Sequence, residues 1–283
     1  MEMSFDLKSL REKISAWKRE GLRIAFVPTM GNLHQGHISL LERAREMGDR
    51  TVMSIFVNPI QFGKGEDYLT YPSTLERDKK ILEENRLDLL FAPDLAQLYP
   101  GGMDVDTRVT VPELSTILCG GFRPGHFSGV ATVVTKLLIN VQPDVALFGE
   151  KDYQQLLVIR CLVEDLCIPV EIVGMPVVRE KDGLAMSSRN AYLSPEQRRL
   201  APLIYKTLTE AADKLRANPD RIAEIEGEGR RTLEEAGFRS EYFSIRRAED
   251  LKAPRPGDRY FSILTAAWLG PARLIDNVKV DLK

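Results

Sequence analysis

Short apolar runs alternate with amphipathic segments along the first two-thirds of the chain. Short apolar runs, most of them with β-branched side chains, predict buried strands at residues 23–27, 51–57, 87–93, 144–149, 169–174 and 175–179. Apolar positions at helical spacing, which predict helices, occur within residues 37–47, 74–85, 129–141 and 152–166. Residues 1–20 are charged and amphipathic and predict a surface helix. Strands that alternate with helices predict a Rossmann-like parallel sheet flanked by helices on both faces.

The pattern changes near residue 190. A capping box with proline at the first helical position, Ser194-Pro195-Glu196-Gln197, predicts a helix to residue 217. A second helix is predicted from Asn218-Pro219 to Gly237, and strands are predicted at 241–247, 260–269 and 272–282. The last two strands flank Gly270-Pro271 and predict an antiparallel hairpin. We expect two domains, a Rossmann-like domain over 1–184 and a smaller C-terminal α+β lid domain over 185–283.

Composition narrows the class of protein. Of the 283 residues, 43% are hydrophobic and 28% are charged, which is typical of a globular chain. The start lacks the apolar run of a secretory signal, and no stretch approaches the ~18 apolar residues of a membrane span. A net charge of -2 argues against a nucleic-acid surface. Cys119, Cys161 and Cys167 have no metal-type spacing, so we interpret them as small core residues in a reducing cytoplasm.

The segment from Val27 to His37 lies between the first long strand and its helix. Ligands of wound α/β sheets bind beyond the carboxyl ends of strands, where a helix N-terminus offers N–H groups to phosphate. Gly31 and Gly36 allow close approach of the backbone, and the imidazoles of His34 and His37 can donate hydrogen bonds to phosphate oxygens. A glycine-rich turn with surface histidines is the plain alternative. A zinc site is a weaker alternative, because the His-x-x-His pair has no third or fourth ligand near it in the sequence.

Two further segments carry cations. Lys151, in Phe148-Gly149-Glu150-Lys151-Asp152, follows a predicted strand and brings a mobile charge to the same sheet edge. The segment 183–190 contains Ser187, Ser188 and Arg189, whose hydroxyls and guanidinium suit pyrophosphate oxygens. A solvated lysine at a helix start is the common alternative for Lys151. The 183–190 segment is a weak signal alone and a strong one as the partner of the 27–37 segment in this order.

Neutral amides form another candidate site. Asn58 and Gln61, after the strand at 51–57, can orient a carboxylate or hydroxyl by hydrogen bonds. Arg123 and His126, in a glycine-rich loop before the helix at 129–141, are candidates to line the same site. A structural role for that loop is the alternative, and it is nearly as well supported.

Six segments together resemble the pantothenate synthetase (pantoate–β-alanine ligase) family. They are VPTMGNLHQGH, SIFVNPIQF, RPGHFSGVATVVTKL, FGEKDYQQ, MSSRNAYLS and AAWLGPARLIDN, and they occur in the expected order from end to end. The first and fifth also resemble the HIGH and KMSKS motifs of the nucleotidylyltransferase superfamily. The lysines of that second motif are replaced here: Ala185 stands first and Arg189 supplies the cation.

The resemblance implies an ATP-dependent ligase. Pantoate and ATP would form pantoyl adenylate and pyrophosphate, and β-alanine would then displace AMP to give pantothenate. The implied ATP-binding residues are Met30, Gly31, Asn32, Leu33, His34, Gln35, Gly36, His37, Gly149, Glu150, Lys151, Asp152, Val178, Met186, Ser187, Ser188 and Arg189. The implied catalytic residues are His34, His37, Lys151 and Arg189, with an acid role for His37. Three residues are assigned to substrate binding, namely Gln61, Gln155 and Asn58, and Asp78 is assigned to Mg²⁺. The protein is expected to be a homodimer located in the cytoplasm.

Three other functions share part of this pattern. Another nucleotidylyltransferase, transferring AMP or CMP to a phosphate-bearing acceptor, would need more cations than Asn58, Gln61 and Gln155 offer. A non-catalytic nucleotide-binding module would bind ATP without turnover. A tRNA synthetase is disfavoured because the chain is short and mildly acidic. The enzymatic interpretation requires residues 30–37, 149–152 and 186–189 to meet at one sheet edge and hold one triphosphate.

Overall fold

The computed structural model describes residues 1–63, 65–71, 74–103 and 106–282. Its strands are β1 (Glu2–Ser4), β2 (Ile24–Thr29), β3 (Arg50–Ile55), β4 (Leu89–Phe91), β5 (Val145–Gly149), β6 (Glu171–Met175), β7 (Arg239–Arg247), β8 (Tyr260–Leu269) and β9 (Ala272–Asp281). Its α-helices are α1 (Leu7–Arg19), α2 (Gln35–Met47), α3 (Leu75–Glu84), α4 (Leu95–Leu98), α5 (Cys119–Phe122), α6 (His126–Val141), α7 (Tyr153–Asp165), α8 (Pro195–Leu200), α9 (Leu203–Ala217) and α10 (Ile222–Glu235). Across the described part of the chain, no helix is long and apolar enough to span a bilayer.

The first sheet is wholly parallel, in the order β1-β4-β3-β2-β5-β6. Its central strands are apolar at successive positions because both faces are covered; Ile24, Ala25, Phe26 and Val27 are all fully buried. Helix α2 packs on β2, β3 and β5, and α6 packs on β2. The predicted parallel sheet flanked by helices is therefore confirmed.

The chain divides into two compact units. One contains Met1–Glu150 with Val158–Pro176, and the other contains Lys151–Leu157 with Val177–Lys283. This division falls earlier in the chain than the predicted boundary at 184 and 185. The start of α7 also belongs to the second unit.

The second unit has its own core. Helices α9 and α10 cover an antiparallel sheet in the order β7-β8-β9. Leu208, Leu215 and Leu233 from the helices pack with Ile245 and Ile263 from the strands, and all are buried. The predicted hairpin of β8 and β9 is confirmed, with Leu269 paired to Ala272 across the turn.

Several predicted elements were wrong. Residues 2–4 form an edge strand rather than part of the first helix, because they pair with β4. Residues 176–179 form no strand, since Pro176 has no N–H for a ladder, and Arg179 makes an isolated bridge to Ala185. The long helix after Ser194 is interrupted between α8 and α9, next to Pro202.

The cysteine interpretation is also corrected. Cys119 is buried, whereas Cys161 is partly exposed and Cys167 is exposed beyond the end of α7. Helix α7 itself was predicted at 152–166, but Cys161 lies on a partly exposed face of it and Cys167 lies two residues beyond its last residue, Asp165.

Candidate active site

The loop from Met30 to His37 joins β2 to α2 and has an unusual backbone. Gly31 and Asn32 have φ angles of 80° and 51°, in the left-handed region. A Cβ on Gly31 would come within 3.1 Å of both Asp78 Oδ2 and Ile55 Cγ2. Glycine is therefore favoured at this position, because an L side chain would be strained at this φ angle and its Cβ would make tight contacts.

Asp78 anchors this loop through the backbone. Its carboxylate is fully buried and accepts hydrogen bonds from the backbone N–H groups of Asn32 at 2.8 Å and Leu33 at 3.0 Å. The hydroxyl of Thr74 donates a third bond to the same carboxylate at 2.9 Å. Because the N–H groups of Asn32 and Leu33 are directed at a protein carboxylate, a phosphate held by this loop has to be bound through its other groups.

His34 and His37 cap the N-terminus of α2. His34 Nδ1 accepts the backbone N–H of Gly36 at 3.1 Å, and His37 Nδ1 accepts the N–H of His34 at 3.2 Å. The rings lie 4.1 Å apart between centroids. Because both Nδ1 atoms act as acceptors, the proton of each neutral ring lies on Nε2. Each ring can therefore present an Nε2–H donor at a helix N-terminus, where anions are favoured.

Gly149 ends β5, the strand next to β2. The two strands are parallel, with Ala25 paired to Val145 and Phe26 to Ala146. Residues 30–37 and 149–150 therefore leave the same edge of the sheet, as the sequence predicted. A Cβ built on Gly149 would meet no atom of the described residues within 4 Å, so the backbone here is open to close approach.

The amide side chains of Asn58 and Gln61 lie against the start of the 30–37 loop. Asn58 Nδ2 donates to Gln61 Oε1 at 3.1 Å, and Gln61 Nε2 lies 3.0 Å from Met30 Sδ. Tyr99 donates its phenol proton to Asn58 Oδ1 at 2.8 Å. Burial raises the pKa of Tyr99 well above its ordinary value, which keeps it a donor. Tyr99 was missed because no motif in the sequence indicates it.

Arg123 and His126 support Gln61 through its backbone. His126 Nδ1 lies 2.7 Å from the carbonyl oxygen of Gln61, and Arg123 donates to that oxygen at 3.4 Å. Arg123 also donates to Glu66, with 2.7 Å between Nε and Oε1. Of the two alternatives for this loop, these contacts favour the structural one. Glu66 was missed, because a glutamate in a variable-looking loop carries no signal of its own.

The remaining predicted residues lie in the second unit. Met186 N–H donates to Val178 O at 3.0 Å, which brings these two predicted ATP contacts together. Ser187 Oγ accepts the N–H of Arg189 at 3.3 Å and caps a 3₁₀ turn over 188–192. Lys151 Nζ lies 3.5 Å from Asp152 Oδ2, and Gln155 follows on the first turn of α7.

A buried ion pair supports these segments of the second unit. Arg179 donates to both carboxylate oxygens of Asp276, at 2.6 and 2.9 Å. Asn277 Nδ2 donates to the carbonyl oxygen of Lys151 at 3.0 Å. Sequence reasoning assigned no role to Asp276 and Asn277, although both lie in the sixth family-like segment.

The sheet and the loop beyond it establish the class of protein. A parallel α/β sheet, with two histidine rings at a helix N-terminus beyond its β2 strand, is an α/β fold whose sheet edge is suited to anion binding. The family model described as pantoate-beta-alanine ligase matches residues 3–279. The chain therefore belongs to the pantoate–β-alanine ligase family.

Curated relatives and solved structures agree with that assignment. A pantothenate synthetase of Alkalilimnicola ehrlichii is 54% identical over 96% of each chain, and one of Azotobacter vinelandii is 53% identical over 98% of each. The pantothenate synthetase structure from Thermus thermophilus is 48% identical with a TM-score of 0.90, over 98% of this chain and 99% of that one. A ligase from Francisella tularensis, solved with beta-gamma ATP and beta-alanine, is 36% identical with a TM-score of 0.82, over 98% and 97%.

Proposed function

We propose that this chain ligates pantoate to β-alanine with ATP, through a pantoyl adenylate, and releases AMP and pyrophosphate. The observation that carries the proposal is its similarity over nearly the whole chain to a ligase solved with beta-gamma ATP and beta-alanine. The two compact units of this chain each contain segments that the proposal assigns to ATP.

The proposed site residues follow from family resemblance and are supported by local geometry. The ATP-binding set is Met30, Gly31, Asn32, Leu33, His34, Gln35, Gly36, His37, Gly149, Glu150, Lys151, Asp152, Val178, Met186, Ser187, Ser188 and Arg189. The catalytic set is His34, His37, Lys151 and Arg189, and the substrate set is Asn58, Gln61 and Gln155. The Nε2–H donors of the two histidines and the open backbone at Gly149 support the first set.

The first step joins two anions. The pantoate carboxylate is ionised at neutral pH, so it can attack the α-phosphate without a base. The barrier is repulsion between that carboxylate and the phosphates. Fixed donors and cations aimed at the developing charge lower it, as in other phosphoryl transfers. Lys151 and Arg189 supply charge, and the imidazoles of His34 and His37 supply oriented N–H donors.

The rate of the second step depends on how the two reactants are positioned. β-Alanine must present an uncharged amine to the acyl carbon of the adenylate. Holding the two reactants together replaces a bimolecular encounter with an internal one, which contributes several powers of ten in rate. Gln61, buried and fixed by Asn58 and by the His126 contact to its backbone, is suited to orient a substrate hydroxyl or carboxylate.

The described residues do not form a resident metal site. Asp78 directs its carboxylate oxygens at two N–H groups and one hydroxyl, which is the arrangement of a structural anchor. Among the described residues, no cluster of three or more ligating side chains could hold a metal ion. The geometry of Asp78 does not fit a direct Mg²⁺ contact, so the Mg²⁺ requirement stays a prediction for the bound nucleotide.

Pantoate-dependent exchange between ATP and pyrophosphate tests the function. The wild-type protein is expected to exchange label only when pantoate is present, and to form pantothenate when β-alanine is added. H37A and K151A are expected to lower the exchange rate by about 100-fold or more, the effect of losing a preorganised donor.

Lys206→Ala is the matched control for Lys151→Ala, because Lys206 is an exposed lysine on α9. It should retain the wild-type exchange rate. Absence of exchange in the wild-type protein would reject the ligase. Near-normal exchange in H37A or K151A would reject only that residue's role.

The Rossmann-like classification, the homodimer and the cytoplasmic location also belong to this proposal. The first rests on the alternation of strands and helices, the second on the resemblance, and the third on composition and cysteine usage. Sedimentation velocity of the purified chain at several concentrations measures its mass in solution. A mass twice that of the 31.9 kDa chain is expected, and a monomer at all concentrations would contradict the homodimer.

A further inference from the structure

Strand β9 carries two adjacent polar residues, Asp276 and Asn277, in the middle of an apolar sheet. Both side chains are buried, with Leu274 and Val280 buried on the same strand. A polar group in such a place costs free energy unless it is hydrogen-bonded. The bonds that these two residues make therefore show what they contribute to the fold.

Asp276 forms a bidentate ion pair with Arg179. Arg179 donates from two nitrogens to the two carboxylate oxygens, and the side chains are 17% and 3% exposed. The backbone N–H of Asn277 donates to Asp276 Oδ1 at 2.7 Å. Burial raises the pKa of Asp276, and Arg179 offsets part of that rise. Two parallel charge-assisted bonds fix the guanidinium plane as well as its position.

Arg179 in turn holds the segment from Gly183 to Asn190, which contains Ser187, Ser188 and Arg189. Its guanidinium donates to Gly183 O at 3.0 Å, and its backbone forms a bridge with Ala185. The guanidinium also lies 3.7 Å from the centroid of the Tyr205 ring. At the end of the segment, Asn190 Nδ2 donates a hydrogen bond to the carbonyl oxygen of Ala185 at 3.0 Å.

Asn277 holds the other segment. Its side-chain amide donates to the carbonyl oxygen of Lys151 at 3.0 Å, at the turn that precedes α7. A small cavity of about 10 Å³ is lined by residues of both segments and by Asp276, among them Lys151, Ser187 and Asn190. Adjacent residues of one rigid strand therefore anchor both segments of this unit that are assigned to ATP.

We propose that Asp276, Asn277 and Arg179 are positioning residues that hold Lys151 and the 183–190 segment in the geometry needed to turn over ATP. The proposal rests on the proposed function, because that function assigns both segments to the nucleotide. It gives a catalytic purpose to three residues that lie outside the assigned nucleotide set. A misplacement of about 1 Å in such groups can lower a rate by as much as 100-fold.

The test compares D276N and N277A with E241Q. Asp276→Asn keeps the size of the side chain and removes its charge, and Asn277→Ala removes the bond to the Lys151 backbone. Glu241→Gln is the matched control, because Glu241 accepts from Arg273 on β9 and from Trp268 on β8. That ion pair is also largely buried, with both side chains 10% exposed, and these bonds join strands outside the two segments. Melting temperature, kcat and KM of exchange are measured for each.

D276N and N277A are expected to lower kcat of pantoate-dependent exchange by about tenfold or more, with KM for pantoate unchanged. E241Q is expected to have a lowered melting temperature, as D276N does, but a kcat equal to that of the wild-type protein. A wild-type kcat in N277A overturns the proposal, as does a kcat in D276N no lower than in E241Q. If D276N does not fold, the kcat of N277A alone tests the proposal.

The two levels of the proposal fail differently. If the wild-type protein shows no exchange, the proposed function fails and this inference fails with it. If the wild-type protein exchanges normally and the variants do too, only the positioning role is lost.

Discussion

Three buried or half-buried carboxylates show how single residues organise this protein. Asp78 accepts backbone N–H groups from the 30–37 loop, Asp276 pairs with Arg179, and Glu66 pairs with Arg123. Asp78 and Asp276 act on segments that carry assigned site residues, and Glu66 holds Arg123, which donates to the backbone of Gln61. Away from water, such a carboxylate stabilises the fold only when all of its hydrogen-bond partners are in place. Substitution of the carboxylate or of one partner is therefore costly at each of these positions.

The Glu66–Arg123 pair predicts a pH dependence of stability. Burial alone would raise the pKa of Glu66, but the hydrogen bonds and charge of Arg123, with a smaller effect of His126, hold it below its ordinary 4.5. A lowered folded-state pKa contributes stability that is present above the unfolded value and is lost as pH falls through the folded value. Glu66→Gln is expected to lower the free energy of unfolding at pH 7 by about 1–3 kcal/mol. The difference from wild type should shrink below pH 4.5.

Urea unfolding at intervals from neutral to acidic pH measures this difference. Glu234→Gln is the control, because Glu234 pairs with Arg230 on an exposed face of α10 where water screens the charges. It should leave the profile close to wild type. A difference between E66Q and wild type that stays constant with pH would contradict the pKa shift as its cause.

At the scale of elements, α6 and the turn at Pro59–Gln61 are in backbone contact. Gly129 of α6 has no side chain at the point of contact, and a Cβ there would lie 2.6 Å from Ile60 O and 2.7 Å from Gln61 N. The carbonyl oxygen of Gly129 also accepts from Asn58 Nδ2 at 3.1 Å. The position of α6 therefore sets the position of the amides assigned to substrate.

Gly129→Ala is expected to move the turn and weaken substrate binding. Backbone atoms cannot move aside as a flexible side chain can, so the helix and turn must separate. We expect a loss of about 1–3 kcal/mol in stability and a rise of about tenfold or more in KM for pantoate, measured by exchange.

Gly229→Ala is the matched control on α10. Its Cβ would lie 2.6 Å from the ring of Phe243, in the core of the second unit, on a helix that carries no assigned site residue. A similar loss of stability with unchanged KM for pantoate is expected. Equal KM changes in both variants would show that destabilisation alone explains the effect.

At the scale of the whole molecule, two separate cores make up the chain. The first unit packs around its parallel sheet and the second around β7, β8 and β9. Because residues 151–157 belong to the second unit and 158–176 to the first, the chain passes between units more than once. The proposed ligands bind only the folded protein, so their binding should be visible in its global stability.

ATP with pantoate is expected to raise the melting temperature of the protein. A ligand that binds only the folded state at 100 times its Kd adds about 2.7 kcal/mol, which is about 5–10 °C for a chain of this size. Differential scanning calorimetry measures the shift, with acetate replacing pantoate as the control for ionic strength. An unchanged melting temperature at saturating ligand would contradict binding to the native state.

Much of the fold follows from local patterns. The parallel sheet, the hairpin of β8 and β9, and the loop at 30–37 were predicted because hydrophobic periodicity and glycine or proline spacing act over a few residues. Three of the six family-like segments, VPTMGNLHQGH, SIFVNPIQF and FGEKDYQQ, also cross the carboxyl ends of β2, β3 and β5, which is where α/β sheets bind ligands. The sequence by itself therefore determined the class, the family and the segments of the candidate site.

Tertiary structure alone decided what holds those segments. Asp78 is 46 positions from Asn32, and Arg179 is 97 positions from Asp276. No local pattern encodes such a pairing, because it arises only when folding brings distant elements together. The same reason explains the edge strand β1, which is too short to be recognised until β4 lies beside it. Local chemistry indicated the residues of the candidate site, and long-range packing determined their partners.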